Sequence, residues 1–315
     1  MKYSYVCLIY KSIDYIDFFL QQFYKYTNLD PDDEFYFVAN DATTEVLDYL
    51  KKNNIPHYIH NNTEEQKKEW YINNVYRAWN KSIKMAKGEY IILLNSDFGF
   101  SENWAENLKN QVRENICVCS RLVERGPSDG GMSSGKYGIE KSFGKNPHNY
   151  RENDFNNYSK EISINELNKE GLFMPLLIKK EYLEKINFYP EGNVLEGSDI
   201  FNPIYLTSND VYILGKKCIS GDLILMQKLK SIGVNHFTTF NSIVYHFQEG
   251  EMKSNVLETE FHFYGYNLSN EKTKDLYIFY SNDGRMRTEF ELFDRNDGWY
   301  YQLTLNIFNN NKNFQ

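Results

Sequence analysis

Gly88–Phe100, GEYIILLNSDFGF, is the stretch on which the reading of this chain turns. Tyr90 to Leu94 form an unbroken apolar run bounded by Gly88 and a polar cluster, the pattern of a central strand covered on both faces. That strand runs directly into Asn95-Ser96-Asp97. Open α/β sheets bind ligands beyond the carboxyl ends of their strands. A carboxylate placed there offers hard oxygen to a divalent cation or a sugar hydroxyl. The same residue types are ordinary turn formers, so these residues by themselves fit a strand that merely ends in a turn equally well.

The residues before Gly88 tip that balance. Ile72, Val75, Tyr76, Trp79, Ile83 and Ala86 fall on one face at helical spacing, and Gly88 is a natural stop. The resulting run Asn74–Asp97, NVYRAWNKSIKMAKGEYIILLNSD, resembles family 2 glycosyltransferases of the GT-A fold in the order of its features. The resemblance extends over roughly residues 3–250. It implies an α/β fold with a GT-A-type mostly parallel (mixed) central sheet flanked by helices, and a nucleotide-sugar donor.

Composition narrows the remaining classes. The chain has 315 residues and a net charge of −8 without a long basic run, which argues against a nucleic-acid partner. A nucleoside diphosphate can still bind an acidic protein when a cation bridges the two. The aromatic share is 17%, which AT-rich coding accounts for better than a carbohydrate site or core packing does. Cys7, Cys117, Cys119 and Cys218 form no CxxC pair, which predicts reduced core thiols and a cytoplasmic setting. No signal-like N-terminus and no apolar run of ~20 residues is present, so no transmembrane segment is expected.

Taken in order, Tyr3–Tyr10 reads as a strand and Asp14–Tyr26 as a helix. Glu34–Ala39 is a second strand, a helix capped by Thr43 or Thr44 follows, and Ile55–Ile59 is a third strand. Strand–helix alternation of this kind predicts a parallel sheet with right-handed crossovers. Ser101 is expected to cap a helix over Trp104–Val112, leading into a strand at Ile116–Ser120. Residues 121–165 are polar and glycine-rich and predict a mobile loop. The resemblance places the acceptor there. Gly130–Lys136 opens like a phosphate-binding loop, but Tyr137 stands where Ser or Thr is needed. Leu172–Ile178, Val211–Leu214 and Asn241–Phe247 read as strands, and Leu223–Ile232 as a helix stopped by Gly233. Residues 1–254 are thus expected to form the catalytic domain. Residues 255–315 should form a small β-meander appendage, with hairpin signals at Asn282-Asp283-Gly284 and Asn296-Asp297-Gly298. Packing or homo-oligomerisation is the expected role of that appendage.

The resemblance also assigns roles. Asp97 would hold the metal, with His246 as second ligand. An imidazole favours Mn²⁺ over Mg²⁺. Tyr10, Asn40, Asn80, Asn95 and Ser96 would face the nucleotide sugar. Asn40-Asp41 stands where the family usually has paired aspartates, so the base is left open, with UDP preferred. Asp222 would be the general base for a hydroxyl acceptor on a glycan, a lipid-linked sugar or a protein. A lone base implies inversion at the anomeric carbon. Gly221 replaces the Glu that commonly precedes it, and Asp199 is the fallback base. Two competing classes remain at this level: a nucleotidyltransferase, disfavoured because Tyr10–Asp14 lacks glycine, and a binding protein of the same fold without turnover.

Overall fold

In a computed structural model, residues 2–67, 69, 71–124, 137–206 and 218–247 are described, together with strand segments between 261 and 303. Strands β1 (Tyr3–Ile9), β2 (Glu34–Asn40), β3 (His57–His60) and β4 (Tyr90–Asn95) are interleaved with helices α1 (Ile13–Tyr26), α2 (Thr44–Lys52), α3 (Glu64–Lys67) and α4 (Tyr71–Met85). Next come β5 (Phe98–Phe100), α5 (Trp104–Lys109), β6 (Ile116–Glu124), β7 (Gly138–Glu140) and α6 (Glu152–Ile162). The described fold continues through β8 (Leu167–Lys169), β9 (Leu176–Lys179), α7 (Lys180–Lys185), β10 (Val194–Leu195), β11 (Cys218–Ile219), α8 (Gly221–Ser231) and β12 (Asn235–His246).

The central sheet has the order β3-β2-β1-β4-β9-β6-β12-β5. β3, β2, β1 and β4 are parallel, as are β6 and β12, whereas β9 runs antiparallel between β4 and β6. The α/β class with a mixed, helix-flanked sheet is therefore observed. Alternation along the strands builds two cores. Tyr90, Ile92 and Leu94 join Phe19, Phe23, Phe37, Phe100 and Trp104 on one face. Ile91 and Leu93 join Trp79, Ile83, Leu225 and Leu229 on the other. Cys7, Cys117 and Cys119 are free and buried.

Local chemistry explains most boundaries. Ser12 and Thr43 accept the Tyr15 and Val46 amides and start α1 and α2. Gly88 is required by close approach: a Cβ there would lie 2.6 Å from the Ser4 backbone nitrogen. Two expectations need correction. Ser101 is not a cap, because β5 keeps the chain extended and the Ser101 amide bonds Ile243 oxygen at 3.3 Å. Asn103, at φ 58°, precedes α5 instead. Nor is 121–165 one long loop, since β6 reaches Glu124 and β7, a 3-10 turn and α6 follow. Phe143 and Phe155, with half-buried Tyr150, supply the order by packing on Phe18, Tyr245 and Phe247. The glycines at 126, 130, 131 and 135 lie outside the described residues, as does Val211–Leu214.

Strand β12 carries a register break: Thr239 pairs with Ser120, and Ile243 with Arg121. The extra residues bring Ser242 Oγ to Ser120 Oγ and Trp104 oxygen, both at 2.7 Å. Beyond the break, Val244–His246 is gripped by β5 on one side and β6 on the other. Towards the C-terminus, β13 (Phe261–Tyr266), β14 (Leu276–Ser281) and β15 (Met286–Arg287) form one antiparallel sheet. β16 (Phe290–Arg295) and β17 (Gly298–Leu303) form a hairpin.

Candidate functional site

Three chain segments meet where β4, β6 and β12 end. The turn after β4 reverses the chain into β5, which pairs Phe98 with His246. On its other side, His246 is the register partner of Glu124. The Phe247 amide donates to Asp97 oxygen at 3.1 Å and fixes the turn. As a result the His246 ring lies between two carboxylates. Nε2 is 3.2 Å from Asp97 Oδ2, and Nδ1 is 2.7 Å from Glu124 Oε1. Burial alone would lower the imidazole pKa, but Asp97 and Glu124 outweigh it and push it up to about 10.

This donor set fits a divalent cation. Asp97 Oδ2 and His246 Nε2 supply a hard oxygen and an imidazole facing one another, and substrate phosphates commonly complete such a shell. Glu124 stands behind the ring, as an outer carboxylate does in carboxylate–histidine–metal arrangements. Among the described residues, no group of three or more His, Cys, Asp or Glu side chains forms a complete metal cage.

At the end of β2, Asn40 is buried and its Oδ1 accepts from Asn62 Nδ2 at 3.2 Å. Asp41 takes both the Asn62 backbone N–H, at 2.9 Å, and its Nδ2, at 2.6 Å. Asp41 has φ 49°, which an Asx side chain tolerates. His60 Nε2 lies 3.3 Å from Asn62 Oδ1, and burial keeps its pKa below the usual value. Asn62 is thus the hub that sets how Asn40 presents its amide. Tyr10 is half-buried beneath Lys11, whose Nζ is 4.4 Å from its ring centre. Asn95 is half-buried at the end of β4, and Ser96 is buried. Asn80 is placed differently. Its amide clamps the Tyr189 backbone with two 3.0 Å bonds, so both polar ends are already used.

Asp222 lies in the first turn of α8, but Ser220 is the N-cap and accepts from the Leu223 amide at 3.3 Å. The Tyr76 hydroxyl donates to Asp222 Oδ2 at 2.9 Å and accepts from the Asp222 amide at 3.1 Å. Burial pushes the carboxyl up to about 6, against the Tyr76 bond. Gly221 cannot become Glu without rearrangement, since a Cβ would meet the Tyr76 ring at 2.7 Å and Gly192 oxygen at 2.8 Å. Asp222 is felt electrostatically by Cys119 and Tyr189. Cys119 is level with Leu93 through their common partner Leu176. Asp97 lies beyond Leu93, in the turn that follows the end of β4. No hydrogen bond or ion pair joins Asp222 to Asp97 or His246 among the described residues. Asp199 is exposed and closes an Asx turn on the Phe201 amide at 2.9 Å.

Glu124, Asn62 and Tyr76 escaped the sequence reading. Glu124 merely follows an apolar run, and Tyr76 reads as one more residue of an apolar helix face. Only the strand ends show what they touch.

The sequence profile described as glycosyl transferase family 2 matches residues 8–165. No curated protein matches the chain. Among solved structures, the chain is similar to residues 1–349 of TarS from S. aureus, at 13% identity and TM-score 0.47, covering 78% of this chain and 60% of that one. It is also similar to GalNAc-T7 solved with UDP, GalNAc and Mn²⁺, at 14% identity and TM-score 0.48, with coverages of 78% and 44%. The Pyrobaculum calidifontis mannosyltransferase PcManGT, in complex with GDP-Man and Mn²⁺, gives 14% identity and TM-score 0.46, with coverages of 78% and 56%. The chain therefore spans 60% or less of the length of each of these proteins.

Proposed function

Because the chain belongs to glycosyl transferase family 2, we propose that it moves a glycosyl group from a nucleoside diphosphate sugar to an acceptor hydroxyl. The observation that carries this reading is the meeting of Asp97 and His246 at 3.2 Å at the carboxyl ends of the strands. In this reading Asp97 and His246 hold Mn²⁺ or, less favoured, Mg²⁺. The bound cation supplies neutralisation of the charge that develops on the departing diphosphate.

The chain's own groups do the rest. Asn40, held by Asn62, offers its remaining amide hydrogen-bonding capacity to the nucleotide base, for which uracil is the preferred candidate. Asn95 and Ser96, at the end of β4, are the groups assigned to the donor ribose or sugar in this reading. Asp222 accepts the acceptor proton, and its carboxyl, pushed up to about 6, is ionised at neutral pH yet basic enough to take that proton. Tyr76 fixes Oδ2 of that carboxylate. One base, with no second nucleophile evident among the described residues, favours a single displacement with inversion. The glycan, lipid-linked or protein nature of the acceptor and the cytoplasmic setting stand as expectations of the same reading.

A thermal-shift screen of nucleoside diphosphates and their sugars, with and without Mn²⁺, tests it. A Mn²⁺-dependent rise with one donor, followed by donor turnover, is expected. A complete absence of both would sink the reading, whereas stabilisation without any hydrolysis or transfer would favour a binding protein.

A further inference from the structure

We propose that Glu124 is the positioning residue that presents His246 to the metal, through the 2.7 Å contact between its carboxylate and His246 Nδ1. This rests on the metal-site reading of Asp97 and His246. An imidazole can give a cation only the nitrogen that carries no proton, so the partner of the other nitrogen decides which one is available. Here the choice is built into the sheet. His246 and Glu124 are direct register partners on parallel strands, so their side chains leave the same face side by side. Glu124 is only 5% exposed, and its oxygen approaches Nδ1 while Asp97 approaches Nε2. The two ring nitrogens point in divergent directions, so a cation between Asp97 and Nε2 leaves Glu124 outside its shell. By accepting a hydrogen bond from Nδ1–H, Glu124 leaves Nε2 as the nitrogen that a cation beside Asp97 would take over from its proton, and it locks the ring plane.

The alternative is that Glu124 only stabilises the strand ends as an ion-pair partner. A structural role of that kind would change melting temperature without changing how the ring binds metal. Outer carboxylates of this type typically contribute 10–100-fold to metal affinity.

The test titrates Mn²⁺ into the full chain with UDP or GDP present, following free Mn²⁺ by electron paramagnetic resonance and the imidazole nitrogen by its echo modulation. Glu124→Gln keeps the shape and an acceptor oxygen but removes the charge, and is expected to bind Mn²⁺ about 10–100-fold more weakly. The nitrogen signal should persist at saturating Mn²⁺ in Glu124→Gln and vanish in His246→Ala. Mn²⁺ affinity within twofold of the parent in Glu124→Gln overturns the proposal. If that variant does not fold, Glu124→Asp keeps the charge with shorter reach, and an unchanged affinity there overturns it as well. Failure of the parent protein to bind Mn²⁺, or binding without a nitrogen signal, overturns the metal-site reading itself and this inference with it.

Discussion

Asp222 illustrates how one residue ties stability to chemistry. Its carboxyl is raised to about 6 from an ordinary 3.8 by burial, so the folded chain holds that proton more tightly than the unfolded chain does. The associated stability is complete below pH 3.8 and is lost as pH rises through 6. Asp222→Asn should therefore match the parent near pH 4 and exceed it by about 2 kcal/mol at pH 8, measured by urea unfolding at both pH values. The same variant is expected to abolish transfer while retaining nucleotide binding, and substantial residual transfer would remove Asp222 from the role of base. In the parent, kcat/KM should rise through about pH 6 on the acid side. His236 shows the opposite sign. It stacks on Phe173 at 6.0 Å, and burial lowers its pKa to about 4. Its contribution is present above pH 6.5 and lost as pH falls through 4. His236→Phe should flatten the loss of melting temperature across that window. An unchanged slope would show that His236 is not what limits acid stability.

Among elements, α8 is the one whose ends matter most. Ser220 satisfies the Leu223 amide, so Ser220→Ala should cost about 1 kcal/mol in chemical denaturation. Gly221→Glu would restore the residue common in the family, yet the Tyr76 ring and Gly192 oxygen already fill that space. Destabilisation of about 1–3 kcal/mol is expected, together with loss of the Tyr76–Asp222 bond and of transfer. A Gly221→Glu variant with unchanged melting temperature and turnover would mean that Tyr76 yields freely. The break in β12 is a second such element. Its extra residues let the end of the strand reach both β5 and β6, and without them His246 would not face Asp97.

At the scale of the whole molecule, the two cores on the sheet faces hold the strand ends in place. Trp104 is fully buried, stacks on Phe100 at 4.3 Å and donates to Thr27 Oγ1 at 3.0 Å. Trp104→Ala should cost about 3–5 kcal/mol by denaturant unfolding. The Ser242 bond is to the Trp104 backbone oxygen and survives in alanine; the lost packing against Phe100 is instead expected to let β5 shift beside His246 and weaken nucleotide-dependent stabilisation. A variant that loses stability but keeps full nucleotide response would separate the core from the site.

Much of the fold was legible in periodicity alone. The apolar run Tyr90–Leu94, the helix face from Ile72 to Ala86 and the cap Thr43 are local features, and local sterics and hydrogen bonding decide them. Phe98–Phe100 was not legible as a strand, because three residues carry no period and their pairing with Val244–His246 is a long-range event. Residues 138–162 were misread because their glycines and polar groups hide Phe143, Tyr150 and Phe155, whose partners lie on distant strands. The sequence by itself determined the α/β character, the strand leading to Asp97 and the candidate types of ligand and base. Only the tertiary structure decided that Glu124 stands behind His246, that Asn62 governs Asn40 and that Tyr76 holds Asp222. Those pairings depend on sheet order and register, which arise from contacts between segments far apart in the chain and leave no periodic trace in any one of them.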